Sequence, residues 1–213
     1  MTDRSTSTTG VIVPGTYRLD PSKSRVRYSG KHMLGMGTVH ATFTVQGGEL
    51  RVCEPLATSS VIVTVDAASF SSNSARRDKD VRSASLLDVA RYPAITFASE
   101  SLHQDGDTLL VTGTVTAHGH TVGVDVLIDH LTHEGTGIRL HGRAEHLDRT
   151  AFGITGSRGM VGRYLDLDLD AFANHRPRQR VETRPGGATR TRVRRDHPTN
   201  PKGETPWRLP FTS

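Results

Sequence analysis

The sequence predicts an all-β protein of about eight short antiparallel strands, with one connecting helix and a disordered, basic C-terminal tail. Three observations carry this. Through the body of the chain, apolar residues recur at every second position, which in a pleated strand places them all on one face. One stretch, Arg76 to Ala90, breaks that alternation with helical spacing. From residue 174 onward the aliphatic residues thin out, and ten Arg/Lys stand against three Asp/Glu. That leaves 17 cations and 19 anions in the first 173 residues, so the net charge of +5 belongs to the tail and the body is nearly neutral.

Taken in order, the strand parities begin with Val26, Tyr28, Gly30 and His32, followed by Val39, Ala41, Phe43 and Val45, then Val61, Val63 and Val65. Next comes the helix. Asn73 or Ser74 caps it, Asp78 and Asp80 occupy its first turn, it stops before Pro93, and Val81, Ala84, Leu87 and Val89 are expected to face the sheet. Ile95 and Phe97 resume the alternation, which continues through Leu109 to Val115, Val122 to Ile128, and Ile138 to Ala144. The last strand is the clearest: from Leu165 to Ala171 apolar residues take the odd places and Asp166, Asp168 and Asp170 the even ones. A helix would scatter those acids round its circumference, whereas a half-buried strand sends them all to water. Turns are expected at Gly47-Gly48, Asp105-Gly106-Asp107, His118-Gly119-His120 and Glu134 to Gly137.

So many short strands have exposed edges, which a barrel removes by closing the sheet and a sandwich leaves at its margins. The alternation alone fits both. In a barrel of this size the inward set of Val, Gly and Ala, with few aromatics, leaves room for a small ligand.

The single cysteine, Cys53, excludes an intramolecular disulfide and a zinc site of several thiolates. The first residues are polar and carry no apolar secretion segment, and nowhere is there an apolar run long enough to span a membrane, so a soluble, cytoplasmic protein is expected. The organisation read from the chain is a flexible lead at 1–13, a folded body at 14–174, and a disordered Arg/Pro-rich tail at 175–213.

Four segments in order carry a family resemblance: Tyr17, Asp20, Pro21 and Ser24 leading into Lys31-His32; Arg77-Asp78 with Arg82, Asp88 and Tyr92-Pro93; Gly113 to Gly119 followed by Thr121; and Asp148-Arg149 with Phe152-Gly153-Ile154. Together, over about residues 15 to 173, they resemble the YceI-like family of polyisoprenoid-binding domains. The resemblance implies a closed, eight-stranded, lipocalin-like antiparallel barrel whose interior holds a long apolar isoprenoid chain. Tyr17 stands where the family commonly has Trp, and Lys23 and Asp80-Val81 also depart from its pattern.

On this reading the ligand is held by inward residues of every strand. They are Val26, Tyr28 and His32; Phe43, Val45 and Val63; Ile95, Phe97 and Val111; Val124, Val126 and Leu140; and finally Leu165 and Leu167. For any single Val or Leu among them ordinary core packing is the better explanation, so the expectation concerns the set. Arg77, Asp78 and Arg82 are candidates for a polar head group, although Asp78 and Arg82, four apart on one helix, also suit a mutual ion pair. Asp148-Arg149 suits an anchor for the turn before the last strand. No cofactor or catalytic residue is expected. The partner is a polyisoprenoid or other amphiphilic lipid, and a homodimer is compatible with the sequence. The alternative is a metal-dependent enzyme built on His118 and His120, which need a third ligand from His103, His130, His133, His141 or His146. The arginines of the tail suit weak contact with anionic surfaces, without interleaved aromatics or a recognition helix for specific nucleic-acid binding.

Overall fold

The computed structural model describes residues 12–32, 35–157 and 159–176. They form β1 (Gly15–Leu19), β2 (Arg25–His32), β3 (Gly37–Val52), β4 (Ser60–Ser71), α1 (Ala75–Arg82), β5 (Ala94–Asp105), β6 (Thr108–Ala117), β7 (His120–Glu134), β8 (Gly137–Asp148) and β9 (Val161–Arg176). From β2 to β9 each strand pairs antiparallel with the next, and β9 returns to β2, Val26 opposite Leu169 and Tyr28 opposite Leu167. The sheet is a closed barrel.

Nine strands make eight staves. β1 pairs with the far end of β3 (Tyr17 opposite Leu50) and the far end of β9 (Leu19 opposite Ala173), thereby continuing the line of β2 along one stave. The break between them is a 3-10 turn at Pro21–Lys23, which Asp20 caps by accepting from the Ser22 amide at 3.0 Å and its hydroxyl at 2.6 Å. Ser24, fully buried, repairs the ladder beside the break: its hydroxyl accepts from the Phe172 amide at 3.1 Å. β1 escapes the parity reading because a strand of five residues offers only Tyr17 and Leu19 as its inward pair.

Two expectations are corrected. Gly47-Gly48 is not a turn: β3 runs straight through it, with a register shift against β4 between Val45 and Gly47. A side chain on Gly48 would strike Leu19 and the Ile62 carbonyl, so glycine serves close approach at a bulge. The helix is also shorter than Arg76 to Ala90. Ser74 caps it as expected, but it stops at Arg82, where the Ser83 hydroxyl turns back to the Asp80 carbonyl at 2.6 Å. Turns follow, with Leu87 donating to Val81 and Tyr92 to Asp88. As a result Leu86 is buried and Ala84 exposed, while Val81 and Leu87 pack on the core as the spacing predicts.

The core is densest at the β1 end, where Tyr17, Leu50, Val52, Ile138, Ala171 and Ala173 are buried together. β9 extends to Arg176, so His175 and Arg176 of the expected tail are paired strand residues. The remainder of that tail, and the lead up to residue 11, lie outside the described residues. Among the described residues no helix is long and apolar enough to cross a membrane.

Candidate functional site

Inside the barrel lies a cavity of about 740 Å³. Its wall is built by the parity of the strands, since in a closed barrel the face turned from solvent is also the face turned to the lumen. Val26, Tyr28 and His32 of β2, Phe43 of β3, Val63 of β4, Ile95 and Phe97 of β5, Val111 of β6, Val124 and Val126 of β7, Leu140 of β8, and Leu165 and Leu167 of β9 all line it. Val45 does not. It is fully buried, next to the β3 bulge, and belongs to the packed core.

One wall is aromatic: Phe70 meets Phe43 edge-on at 5.3 Å between ring centres and Tyr28 at 5.9 Å. Burial raises the pKa of the Tyr28 phenol, with the Arg149 charge pulling it the other way, so the group stays neutral and adds no charge to the lumen. Phe97 and Phe152 also line it, and the rest of the apolar wall is mostly Val, Leu, Ile and Ala.

Polar members of the lining gather at one end, Arg143 on the outer flank of β8 apart. Lys31 and His32 close β2, Ser74, Arg76, Arg77 and Asp80 belong to α1 and its cap, and Arg149 and Ser157 follow β8. This is the end opposite β1. The cavity is therefore a greasy well with a largely cationic rim.

The three head-group candidates have separate fates. Arg77 lines the cavity while its guanidinium donates to the Ser72 hydroxyl at 2.7 Å and the Ser72 carbonyl at 2.9 Å. Asp78 is buried and accepts from the Ser72 amide and hydroxyl, tying the helix to the end of β4. Arg82 donates to the Phe70 carbonyl, leaving its buried Nε without a partner. Asp78 and Arg82 thus each brace β4 instead of pairing with each other, and neither lines the lumen. Lys31, Arg76 and Asp80, which the sequence reading missed, do line it. They occupy strand and helix ends, where no periodicity signals direction.

Asp148 and Arg149 anchor the turn as their position suggests. Asp148 caps it through the Thr150 amide at 2.9 Å, and Arg149, 5% exposed, donates to the carbonyls of Ile154 at 2.6 Å, Gly162 at 2.8 Å and Val161 at 3.1 Å. Arg163 grips Asp148 through two nitrogens, at 2.7 and 2.9 Å, and with the Thr150 hydroxyl holds its carboxyl well below the usual carboxylate range.

His118 and His120 stack with ring centres 6.2 Å apart, and Tyr92 covers His118 at 4.8 Å. Among the described residues no group of three or more His, Cys, Asp or Glu side chains converges to hold a metal. His141, one proposed third ligand, instead bonds Asp129 at 2.9 Å.

Residues 17–173 match the YceI-like domain family. The chain belongs to that family. A UPF0312 protein of Enterobacter sp. (strain 638) is 37% identical over 117 residues, 54% of this chain and 60% of that protein. Protein YceI of Salmonella arizonae is 35% identical over 117 residues, 54% of this chain and 61% of that one. The chain thus spans about three fifths of the length of these curated relatives. Among solved structures, Burkholderia cenocepacia BcnA superposes with a TM-score of 0.64 at 24% identity, over 73% of this chain and 99% of that one. A polyisoprenoid binding domain from Saccharophagus degradans, implicated in plant cell wall breakdown, gives 0.58 at 14% identity, over 75% and 98%. Both share the YceI-like barrel.

Proposed function

We propose that this YceI-like chain binds one long amphiphilic lipid of isoprenoid or similar type in its barrel, and thereby stores, carries or presents it. The observation that carries the reading is the apolar cavity of about 740 Å³ with cations at one end. Burying methylenes yields about 0.8 kcal/mol each, so ten of them supply roughly 8 kcal/mol against the cost of association. The rim complements an acidic or phosphorylated head: Lys31, Arg76 and Arg77 stand where the polar end of a chain inserted tail-first would rest. The Saccharophagus neighbour, a polyisoprenoid binding domain, supports the same ligand class. Such a function rests on desolvation and needs no nucleophile, so we read the protein as a carrier and not an enzyme. The metal-enzyme alternative has two stacked imidazoles and no convergent third donor among the described residues to support it.

The test is a charge inside the well. Val124 is 5% exposed and lines the cavity, and Phe43 is 7% exposed opposite the Phe70 ring. Val124→Asp or Phe43→Asp should weaken capture of a fluorescent long-chain fatty acid by about a hundredfold or more, because a carboxylate there is desolvated without a partner. Circular dichroism establishes that the variant is folded. A folded variant with undiminished capture would put the ligand outside the barrel.

A further inference from the structure

Two methionines stand in water beside the cationic rim. Met36 is 80% exposed and Met160 62% exposed. Met36 lies in the turn joining β2 to β3, and Met160 immediately precedes β9. His32 is in register with both Gly37 and Val161, which brings the two tips side by side. Gly35, Gly159 and Arg163 share the walls of one shallow depression between them. A lone exposed apolar residue needs no explanation, but two on adjacent tips at the mouth of an apolar cavity form a patch.

Cations stand round that patch. Lys31, Arg76, Lys79, Arg91 and Arg163 are all exposed at this end. Of the nearby acids, Asp78 is taken up by Ser72 and Asp148 pairs with Arg163, which leaves Asp80, Glu145 and Asp166 exposed and Asp66 and Asp88 half-buried. At the closed end exposed acids such as Glu49, Glu54 and Glu134 are mixed with Arg18, Arg51 and Arg176. The apolar tips thus stand beside the cations of the mouth, Lys31 and Arg76 among them.

We infer that the mouth end docks on an anionic lipid bilayer, Met36 and Met160 entering the headgroup layer while the surrounding Lys and Arg face anionic lipid. Apolar tips within a cationic ring suit that surface, whereas a symmetric contact between two mouths would set cation against cation. The docking rests on this surface alone. Its use, passing a chain between bilayer and barrel without crossing water, rests on the lipid-binding reading above.

The experiment is co-sedimentation of the full chain with vesicles of phosphatidylcholine alone, or with about one third phosphatidylglycerol, alongside capture of the fluorescent fatty acid from solution. Two variants avoid the cavity lining: Met36→Asp, and Lys79→Glu with Arg91→Glu. The parent should bind the anionic vesicles and release them as salt shortens the screening length to a few ångströms. Met36→Asp should weaken that binding about tenfold. The charge reversal should weaken it about 25-fold or more, at roughly fivefold for each cation lost. Fatty-acid capture should be unchanged in both. Vesicle binding that is sensitive to both variants in a protein that captures no fatty acid would uphold docking and sink the carrier reading. No vesicle binding by the parent would overturn the docking, and so would binding indifferent to both variants, which would assign attachment to the arginines beyond residue 176. Loss of self-association in the variants without any change on vesicles would replace the bilayer with a second copy of the chain.

Discussion

Arg149 shows how one side chain serves both frame and lumen. It lines the cavity, and its guanidinium donates to three backbone carbonyls of the segment between β8 and the start of β9. Buried carbonyls left without a donor cost about 1–3 kcal/mol each, so Arg149→Met should lower stability by about 3 kcal/mol or more. Urea unfolding checks this, and an unchanged midpoint would mean that the three bonds are dispensable. Asp148 beside it titrates in the opposite sense from a buried acid. Because the Arg163 fork and Thr150 depress its folded pKa below that of the unfolded chain, its contribution is complete above the unfolded value and is lost as pH falls. The parent should therefore lose more stability than Asp148→Asn between about pH 5 and about pH 2. Equal acid sensitivity of the two proteins, followed by thermal melts, would refute the assignment.

At the scale of elements, the degree to which the sequence reveals structure follows from the physics of each segment. The inward positions of the long strands could be read because parity, lumen and burial coincide in a closed sheet: the same alternation that marks a strand also names what lines the well. Val45 is the exception, since the adjoining bulge packs it into the wall. β1 was hidden by its brevity. The helix was overestimated because the run from Val81 to Val89 keeps an apolar spacing after Ser83 has already ended the hydrogen-bonded turns. Gly47-Gly48 resembles a turn because a bulge and a turn demand the same thing of glycine, room for a neighbouring backbone. The rim residues were the least legible. Lys31, Arg76 and Asp80 sit where strands and helix end, and only the closure of the barrel brings those ends to one opening.

For the whole molecule, eight staves joined without a free edge enclose a volume that side chains of their size do not fill. Packing is concentrated at the β1 end, where Tyr17 and Ile138 are buried, and the polar lining of the cavity is concentrated at the other. That asymmetry gives the molecule a direction, a closed apolar floor and a cationic mouth, which a uniformly packed core would lack. It also accounts for a tail-first ligand and a bilayer-facing rim with one arrangement of the chain.

The most direct measurement is native mass spectrometry of the full-length protein isolated from its own host, followed by organic extraction. The account predicts a mass excess equal to one apolar molecule per chain, recovered in the extract as a long-chain lipid. A protein that flies at its bare sequence mass, yields nothing to solvent, and then fails to take up a long-chain amphiphile supplied in excess would contradict it.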